Sequence, residues 1–266
     1  MSEPILIERT GDVVVWTLNN PRARNPISEA DTIDAIEDAV AAANRDHSLR
    51  AAILTGAGPA FSSGGNVKHM RGRTGMFGGA PAQLRQAYRH GIQRIPKALY
   101  HCEIPTIAAV NGSAVGAGLD LALMCDMRVA AATAVFAESF VKVGLVPGDG
   151  GAWLLPRAIG MARACEMAFT GEPIDANTAL DWGLVSEVVE PGALMAAARG
   201  LAARVCGNPP HALRMTKRLL REGTQQTLDS LLELSAAMQA AAHHTEDHQE
   251  AVAAMSQRRP PEFTGR

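Results

Sequence analysis

Two stretches of this sequence share a pattern that few folds can accommodate. In each, an apolar run typical of a buried strand gives way to a cluster of small residues and then to a helical pattern. The first is Ala51–Thr55 followed by Phe61-Ser-Ser-Gly-Gly-Asn-Val-Lys-His-Met70, and the second is Thr106–Val110 continuing as Asn-Gly-Ser-Ala-Val-Gly-Ala-Gly-Leu-Asp-Leu-Ala-Leu-Met-Cys-Asp126. Alternation of apolar strands with helices predicts an α/β fold.

The small residues in both turns also suggest chemistry. They let a ligand approach the backbone closely, and the first N–H groups of a helix have no internal acceptor. Two such turns directed at one point would offer two donors to a developing oxyanion. One Gly-rich turn alone is more often only a tight turn, so the hypothesis depends on the pair.

The composition excludes several classes of protein. With 266 residues, 47% of them hydrophobic, the chain can form one large core or a core with a helical extension. The net charge of -2, with both signs mixed along the chain, excludes the basic stripe of a nucleic-acid-binding protein. No apolar run reaches the roughly 20 residues of a membrane helix, and the N-terminal residues do not resemble a signal peptide, so we expect a cytoplasmic protein. The cysteines are scattered without a paired motif, and we expect them to be reduced and buried: Cys102, Cys125, Cys165 and Cys206.

The order of elements can be predicted along the chain. A hairpin is expected around Gly11, a helix from Ser28 to Asn44 that begins with a capping box, and a helix within 81–101 after a Gly-rich, mobile segment. A helix over 116–125 and a strand over 127–131 follow the second turn. Beyond Gly192 only helical patterns occur, at about 193–206, 210–221, 225–242 and 246–257.

The sequence resembles the crotonase family, also called the enoyl-CoA hydratase/isomerase family, over nearly its whole length. The two turns carry this resemblance together with further segments in the family's order: Leu18–Asn25, Val143–Gly151, Leu154–Gly160, Leu180–Ser186 and Arg259–Gly265. The resemblance implies a β-β-α superhelix as a core over residues 1–195. It implies a helical C-terminal trimerisation region over 196–266, within a homotrimer or a homohexamer.

The same resemblance implies a site for an acyl-CoA thioester. Family members hold the thioester oxygen between two backbone N–H groups, and these fall on Gly65 and Ala117. The adenine and pantetheine would follow, largely through backbone contacts, the loop that contains Ala23, Phe61, Ser63, Gly65 and Val67. A group of basic residues could contact the CoA phosphates or be a solvated loop: Arg22, Arg24, Lys68, Arg71 and Arg73.

The acid/base residues depart from the family's hydratases. Those enzymes carry two glutamates; the first falls on Asp120 and the second on Phe140, which cannot titrate. Asp120 lies three residues after Ala117, so we expect it to face the same site. A double-bond shift needs only one carboxylate, so Phe140 favours isomerisation over hydration. Phe140 could also line the acyl pocket, with Met70 or Met76 nearby.

Two further carboxylates are candidates. Asp149 lies in a turn where isomerases of the family carry an essential Asp, although in the phenylacetate-pathway epoxide isomerase that Asp would align with Gly148. Asp149 is therefore either a base or only a helix N-cap. For Glu138, two residues before Phe140, we expect an exposed side chain rather than a catalytic one.

The sequence thus predicts a hydratase/isomerase-type enzyme that stabilises a thioester enolate. The alternative is a catalytically weak acyl-CoA-binding or scaffolding protein that keeps the oxyanion hole. We expect no metal or cofactor beyond the CoA of the substrate, because His243, His244 and His248 lack acidic or Cys partners in a ligand pattern.

Overall fold

The computed structural model describes residues 3–266, which form ten strands and twelve α-helices. The strands are β1 (Ile5–Thr10), β2 (Val13–Leu18), β3 (Ala51–Gly56), β4 (Ala60–Ser62), β5 (Thr106–Val110), β6 (Ser113–Val115), β7 (Met127–Ala131), β8 (Val135–Ala137), β9 (Ile174–Asp175) and β10 (Glu187–Val189). The helices are α1 (Ala30–Arg45), α2 (Val67–Gly72), α3 (Pro81–His90), α4 (Arg94–Tyr100), α5 (Ala117–Met124), α6 (Gly151–Ile159), α7 (Met161–Thr170), α8 (Ala176–Asp181), α9 (Leu194–Cys206), α10 (Pro210–Glu222), α11 (Leu228–His243) and α12 (Glu246–Gln257).

The strands divide between two sheets that repeat along the chain. The larger sheet has the order β1-β2-β3-β5-β7-β10, and the smaller has the order β4-β6-β8-β9. Each of the pairs β3–β4, β5–β6 and β7–β8 places one strand in each sheet before the chain turns back. Within each sheet these successive strands are parallel. This repeated arrangement is the expected β-β-α superhelix.

The predicted elements occur with two local differences. The hairpin, the central strands and the helical C-terminal region lie where expected, but the segment 81–101 forms two helices, α3 and α4. The prediction of a capping box at the start of α1 is wrong. Glu29 is the N-cap residue and makes no side-chain cap, while the Ser28 hydroxyl accepts a hydrogen bond from the Asn66 N–H at 3.0 Å. Ser28 therefore ties two loops together instead of capping a helix.

The larger sheet has apolar clusters on both faces. One face packs against α1, α4, α5 and α6 in the main core, and the other is covered by α9. α9 contacts the sheet through small or apolar residues spaced four apart, which lie on one side of a helix: Leu194, Ala198, Ala202 and Cys206. The boundary predicted at 195/196 thus falls at the start of a helix that packs on the sheet. α10, α11 and α12 follow beyond it.

The C-terminal helices contain little buried apolar surface within this chain. α11 has no buried residue, and Leu228 and Leu232 are among its exposed side chains. Over residues 3–266, no helix is both long enough and apolar enough to cross a membrane. Three of the cysteines, Cys102, Cys125 and Cys206, are buried free thiols, whereas Cys165 is half-buried.

Candidate active site

The two turns singled out in the sequence lie side by side. Each follows a strand of the smaller sheet, and these strands, β4 and β6, are hydrogen-bonded neighbours with Ser62 paired to Ala114. Parallel neighbours end at the same edge of a sheet, so the chain leaves both strands at the same place. The turn at 63–66 and the start of α5 therefore meet.

Two glycines allow the backbones of these turns to touch. Gly64 has φ +74°, and a Cβ atom there would lie 2.5 Å from the Val115 carbonyl oxygen and 2.9 Å from the Ala117 nitrogen. A Cβ atom on Gly118 would collide with the Ser62 carbonyl oxygen. Any larger residue at either position would force the turns apart, so both glycines are needed for the approach.

The contact leaves two backbone N–H groups free beside each other. Ala117 is the first residue of α5, and its N–H has no intrahelical acceptor. Within residues 3–266, neither the Ala117 N–H nor the Gly65 N–H has a hydrogen-bond acceptor. Two unpaired donors near one helix N-terminus are the arrangement that stabilises an oxyanion.

Asp120 and Glu138 form a buried carboxyl pair, with Asp120 in the first turn of the helix that begins at Ala117. Asp120 lies in the first turn of α5 and is fully buried, and Glu138 is only 1% exposed. A Cβ atom on Gly151 would lie 2.5 Å from Glu138 Oε1 and closer still to Asp120 Oδ1, so the two oxygens are at most roughly 5 Å apart. Within residues 3–266, none of the four carboxyl oxygens has a hydrogen-bond partner.

The prediction that Glu138 is an exposed side chain is therefore wrong. Glu138 directly follows β8 and precedes a 3-10 turn at Ser139–Val143. That position, where an inward-facing strand breaks into a tight turn, directs the side chain toward α5 instead of solvent. A single glutamate in a short irregular segment has no periodicity from which its direction could be read.

The environment of the pair favours protonation. Burial, followed by the negative charges of Glu138 and Asp149, raises the pKa of Asp120 well above its usual value. Burial also raises the pKa of Glu138 to about 8. Two carboxyls this close titrate as a unit, because ionising both would place like charges together without water. The pair therefore retains a proton at neutral pH.

Asp149 is a third buried carboxyl near the pair. It is 3% exposed, its Oδ1 has no hydrogen-bond partner within the described chain, and burial raises its pKa to about 6. The N-cap interpretation is wrong, because Gly150 occupies the N-cap position of α6 and no side chain caps that helix. Gly150, with φ +115°, separates Asp149 from the first turn of α6.

Tyr88 of α3 is a neighbour of Asp149 that the sequence reasoning missed. Its ring covers Gly148, where a Cβ atom would lie 2.8 Å from Tyr88 Cε1. Burial, and then the charge of Asp149, raises the pKa of the Tyr88 phenol. Gln93 fixes the same turn by donating a hydrogen bond to the Gly148 carbonyl oxygen at 2.9 Å. Nothing in the sequence spacing connects α3 with residues 148–149.

Apolar side chains surround the two donors. The Phe140 ring lies 3.7 Å from the point where a Cβ atom of Gly116 would stand, beside the start of α5. Over the other donor, the Met70 methyl group contacts the position of a Gly65 Cβ atom, and Phe77 lies 3.5 Å from it. Met76 also packs against the main core. The site is thus lined by the predicted residues Phe140 and Met70, with Phe77 added.

The residues predicted to bind CoA extend outward from Gly65. Ala23, Val67 and Lys68 are exposed and Ser63 is half-buried. The Phe61 side chain is fully buried, so it is available to a ligand only through its backbone. The basic residues of the two loops are also exposed: Arg22, Arg24, Lys68, Arg71 and Arg73. Across residues 3–266, no three His, Cys, Asp or Glu side chains are grouped so that they could hold a metal ion.

Comparisons with known proteins identify the family of this chain. A model of the enoyl-CoA hydratase/isomerase family matches residues 8–266. A short-chain-enoyl-CoA hydratase of Clostridium acetobutylicum is 33% identical over 258 residues, covering 96% of this chain and 95% of that protein. A (E)-benzylidenesuccinyl-CoA hydratase of Thauera aromatica is 37% identical, covering 98% and 99%, and a 1,2-epoxyphenylacetyl-CoA isomerase of Escherichia coli is 34% identical over the whole of both chains.

A solved structure gives the same result for the fold. The crystal structure of an enoyl-CoA hydratase from Bacillus anthracis superposes with a TM-score of 0.92 at 32% identity, covering 99% of this chain and 100% of that one. The family model spans the two turns, the carboxyl pair and the C-terminal helices alike. The chain therefore belongs to the enoyl-CoA hydratase/isomerase family and is an acyl-CoA-processing enzyme of the crotonase fold.

Proposed function

We propose that this enzyme adds water to the double bond of a 2-enoyl-CoA thioester. The observation that supports hydration is the buried carboxyl pair, Asp120 and Glu138, beside the free N–H groups of Gly65 and Ala117. Hydration needs one group to take a proton from water and another to give a proton to carbon. Phe140 stands where hydratases of the family carry their second glutamate, so this chain has no carboxyl group at that position. Glu138, two residues earlier, supplies a carboxyl group instead.

The proposed mechanism assigns one task to each group. The thioester oxygen accepts hydrogen bonds from the Gly65 and Ala117 N–H groups, which stabilise the negative charge that develops as water attacks. The oxygen of water bonds to the β-carbon and its proton passes to the ionised member of the pair. The protonated member gives its proton to the α-carbon. One proton enters the pair and one leaves, so the total number of protons is restored. Transfer of the remaining proton from one carboxyl to the other then returns both members to their initial states.

The remaining predicted residues would bind the substrate. The CoA moiety would follow the exposed loops at Ala23, Ser63, Val67 and Lys68, with Phe61 contributing only backbone. Phe140, Met70 and Phe77 would contact the acyl chain, which favours apolar or aromatic acyl groups. We also propose assembly into a homotrimer or a homohexamer through the C-terminal helices. A cytoplasmic location and the lack of any cofactor beyond the substrate's CoA stay predictions.

Double-bond isomerisation is a second candidate, and Asp149 is the observation that favours it. A third buried carboxyl, with an unpaired oxygen and a pKa near neutrality, could move a proton between the α- and γ-carbons of a 3-enoyl-CoA. Phe140 would then keep water away from the β-carbon. Isomerisation needs no contribution from Glu138, which separates the two candidates experimentally.

The test compares Glu138→Gln, Asp120→Asn and Asp149→Asn with 2-enoyl-CoA and 3-enoyl-CoA supplied separately in D₂O and followed by NMR. Hydration predicts 3-hydroxyacyl-CoA from the wild type and a loss of roughly 10²-fold or more in both Glu138→Gln and Asp120→Asn. Glu166→Gln, on the exposed surface of α7, is the matched control and should keep full activity. Interconversion of enoyl isomers that is lost only in Asp149→Asn would favour the second candidate. Binding of acyl-CoA without any turnover would indicate the scaffold alternative.

A further inference from the structure

The loop that carries the Gly65 donor is held by a brace of hydrogen bonds from residues 25–28. Asn25, only 1% exposed, anchors the base of the loop, since its Nδ2 donates to the carbonyl oxygens of Ala57 at 2.9 Å and Ala60 at 2.8 Å. Its own carbonyl oxygen accepts a hydrogen bond from the Ser62 hydroxyl at 2.7 Å. Ser62 is fully buried, so this bond does not compete with water.

The brace continues to both sides of Gly65. The Ser62 Oγ accepts a hydrogen bond from the Gly64 N–H at 3.1 Å, and the Gly64 carbonyl oxygen accepts one from the Ile27 N–H at 2.9 Å. On the far side, the Asn66 N–H donates to the Ser28 Oγ at 3.0 Å. The N–H groups of Gly64 and Asn66 and the Gly64 carbonyl oxygen are thus engaged, whereas the Gly65 N–H has no acceptor within residues 3–266.

The engaged groups also fix the direction of the free one. Gly64 C=O and Gly65 N–H belong to one planar trans peptide, so they point in opposite directions. Because the carbonyl oxygen is bonded to the Ile27 N–H, the Gly65 N–H points away from Ile27. The start of α5 adjoins this turn, since a Cβ atom on Gly64 would lie 2.9 Å from the Ala117 nitrogen. Rotation of this peptide would break the bond to Ile27 and disturb the bond from Gly64 to Ser62.

The backbone of the brace is itself in an uncommon conformation. Arg24 and Asn25 are non-glycine residues with φ of +60° and +54°. This left-handed region costs free energy for residues with a side chain, and such costs persist where surrounding contacts determine the conformation. This conformation directs the carbonyl oxygens of Arg24 and Asn25 toward the loop. The Arg24 carbonyl oxygen accepts a hydrogen bond from the Ser63 N–H at 2.8 Å.

We infer that Ser62 and Ser28 are positioning residues, which hold the Gly65 N–H in the direction needed to stabilise the thioester oxyanion. The inference rests on the proposed role of Gly65 in the oxyanion hole. Neither hydroxyl reaches the reacting atoms, so both act only through the peptide that they orient. Because a donor misplaced by about 1 Å can lower a rate by roughly 10²-fold, removal of the Ser62 hydroxyl should affect the chemical step more than substrate binding.

The test variant is Ser62→Ala, with Thr55→Val as a matched control. Thr55 is also a buried hydroxyl, which donates to the Ala109 carbonyl oxygen at 2.8 Å within the larger sheet. Ser62→Ala should lower kcat by roughly 10- to 100-fold with KM changed by less than about threefold, the pattern of an interaction made in the transition state. Thr55→Val should lose stability without this loss of kcat. Ser28→Ala should lower kcat in the same way, and it serves if Ser62→Ala does not fold.

A spectroscopic readout separates positioning from general destabilisation. Butyryl-CoA labelled with ¹³C at the thioester carbonyl cannot be hydrated, and hydrogen bonding to its oxygen lowers the carbonyl stretching frequency. We expect a lowered frequency in the wild type and in Thr55→Val, and a smaller shift in Ser62→Ala or Ser28→Ala. If the frequency shift and kcat of both serine variants equal those of the wild type, the positioning role of Ser62 and Ser28 is wrong, while the oxyanion-hole assignment stands. No shift in the wild type would overturn the oxyanion-hole assignment, and the brace with it.

Discussion

At the scale of single residues, the carboxyl pair depends on the absence of a side chain at Gly151. The Gly151 Cα faces both carboxyl groups, and a Cβ atom there would collide with Asp120 and come within 2.5 Å of Glu138. The pair is therefore buried against the backbone at Gly151, and within residues 3–266 none of its four oxygens has a hydrogen-bond partner. Burial of this kind favours the neutral form of each carboxyl group, so the free energy of unfolding depends on the protonation of the pair.

The raised pKa values predict how stability depends on pH. The unfolded chain has ordinary carboxyl pKa values near about 4, whereas burial raises that of Glu138 to about 8, so the folded state binds the proton more tightly. The stabilisation that results from this tighter proton binding is fully present below about pH 4 and is lost as the pH rises through about 8. We expect the unfolding free energy of the wild type to fall across that window, and that of Glu138→Gln to fall less. Urea titrations at about pH 5, 7 and 9 would measure this, and parallel curves for the two proteins would contradict it.

At the scale of elements, α10 is held to the core by ion pairs with one acidic residue, Asp126. Asp126 follows α5, and its carboxylate forms ion pairs with two residues of α10. The Lys217 Nζ lies 2.6 Å from one carboxylate oxygen and the Arg221 Nη2 lies 2.7 Å from the other. Lys217 also donates to the Ile104 carbonyl oxygen at 2.6 Å. Although burial acts to raise it, the charges of Lys217 and Arg221 lower the pKa of Asp126 below its usual value. The end of α5, the helix that carries Asp120, is thus connected to α10.

Removal of one cation from this cluster should destabilise the fold. Lys217→Ala removes a buried ammonium that bonds the Asp126 carboxylate and the Ile104 carbonyl oxygen, and we expect the unfolding free energy to fall by about 1–3 kcal/mol. The matched control is Arg218→Ala on the exposed side of the same helix, where the side chain is 65% exposed and the pair with Glu222 faces solvent. Thermal and urea unfolding of both variants would show the difference. Equal stability of the two variants would rule out a structural role for the Asp126 cluster.

At the scale of the whole molecule, regular elements were predictable and the tight turns were not. The strands at 51–55 and 106–110 and the helix after Gly116 follow from apolar runs and small residues, and the structure confirms them. The small residues after the first of these strands also indicated where a free backbone N–H, that of Gly65, would lie. Glu138 was misjudged, Tyr88 was missed and the N-cap alternative for Asp149 was wrong, because these side-chain directions depend on the turns at 138–143 and 148–150 and on contacts distant in sequence. Local periodicity contains no information about either.

The exposed C-terminal helices give a prediction for assembly. α11 has no buried residue, and its exposed leucines are the kind of surface that another subunit covers. For the homotrimer or homohexamer proposed above, sedimentation should give a mass three or six times 28.0 kDa. Leu232→Glu should reduce that mass, whereas Ile7→Glu on the edge strand β1, with the same 57% exposure, should not. A monomeric wild type would contradict this assembly.

The division of the site between main chain and side chains has a consequence for redesign. The proposed oxyanion donors are backbone groups that the glycine contact between the two turns holds together, and no side chain is part of them. The carboxyls come from three separate segments: α5, the turn after β8 and the turn before α6. Exchanging residues at 138, 140 and 149 therefore alters where protons are delivered while the donors stay in place. One scaffold can thus be moved between reaction types by a few side-chain changes, with its activation of the thioester conserved.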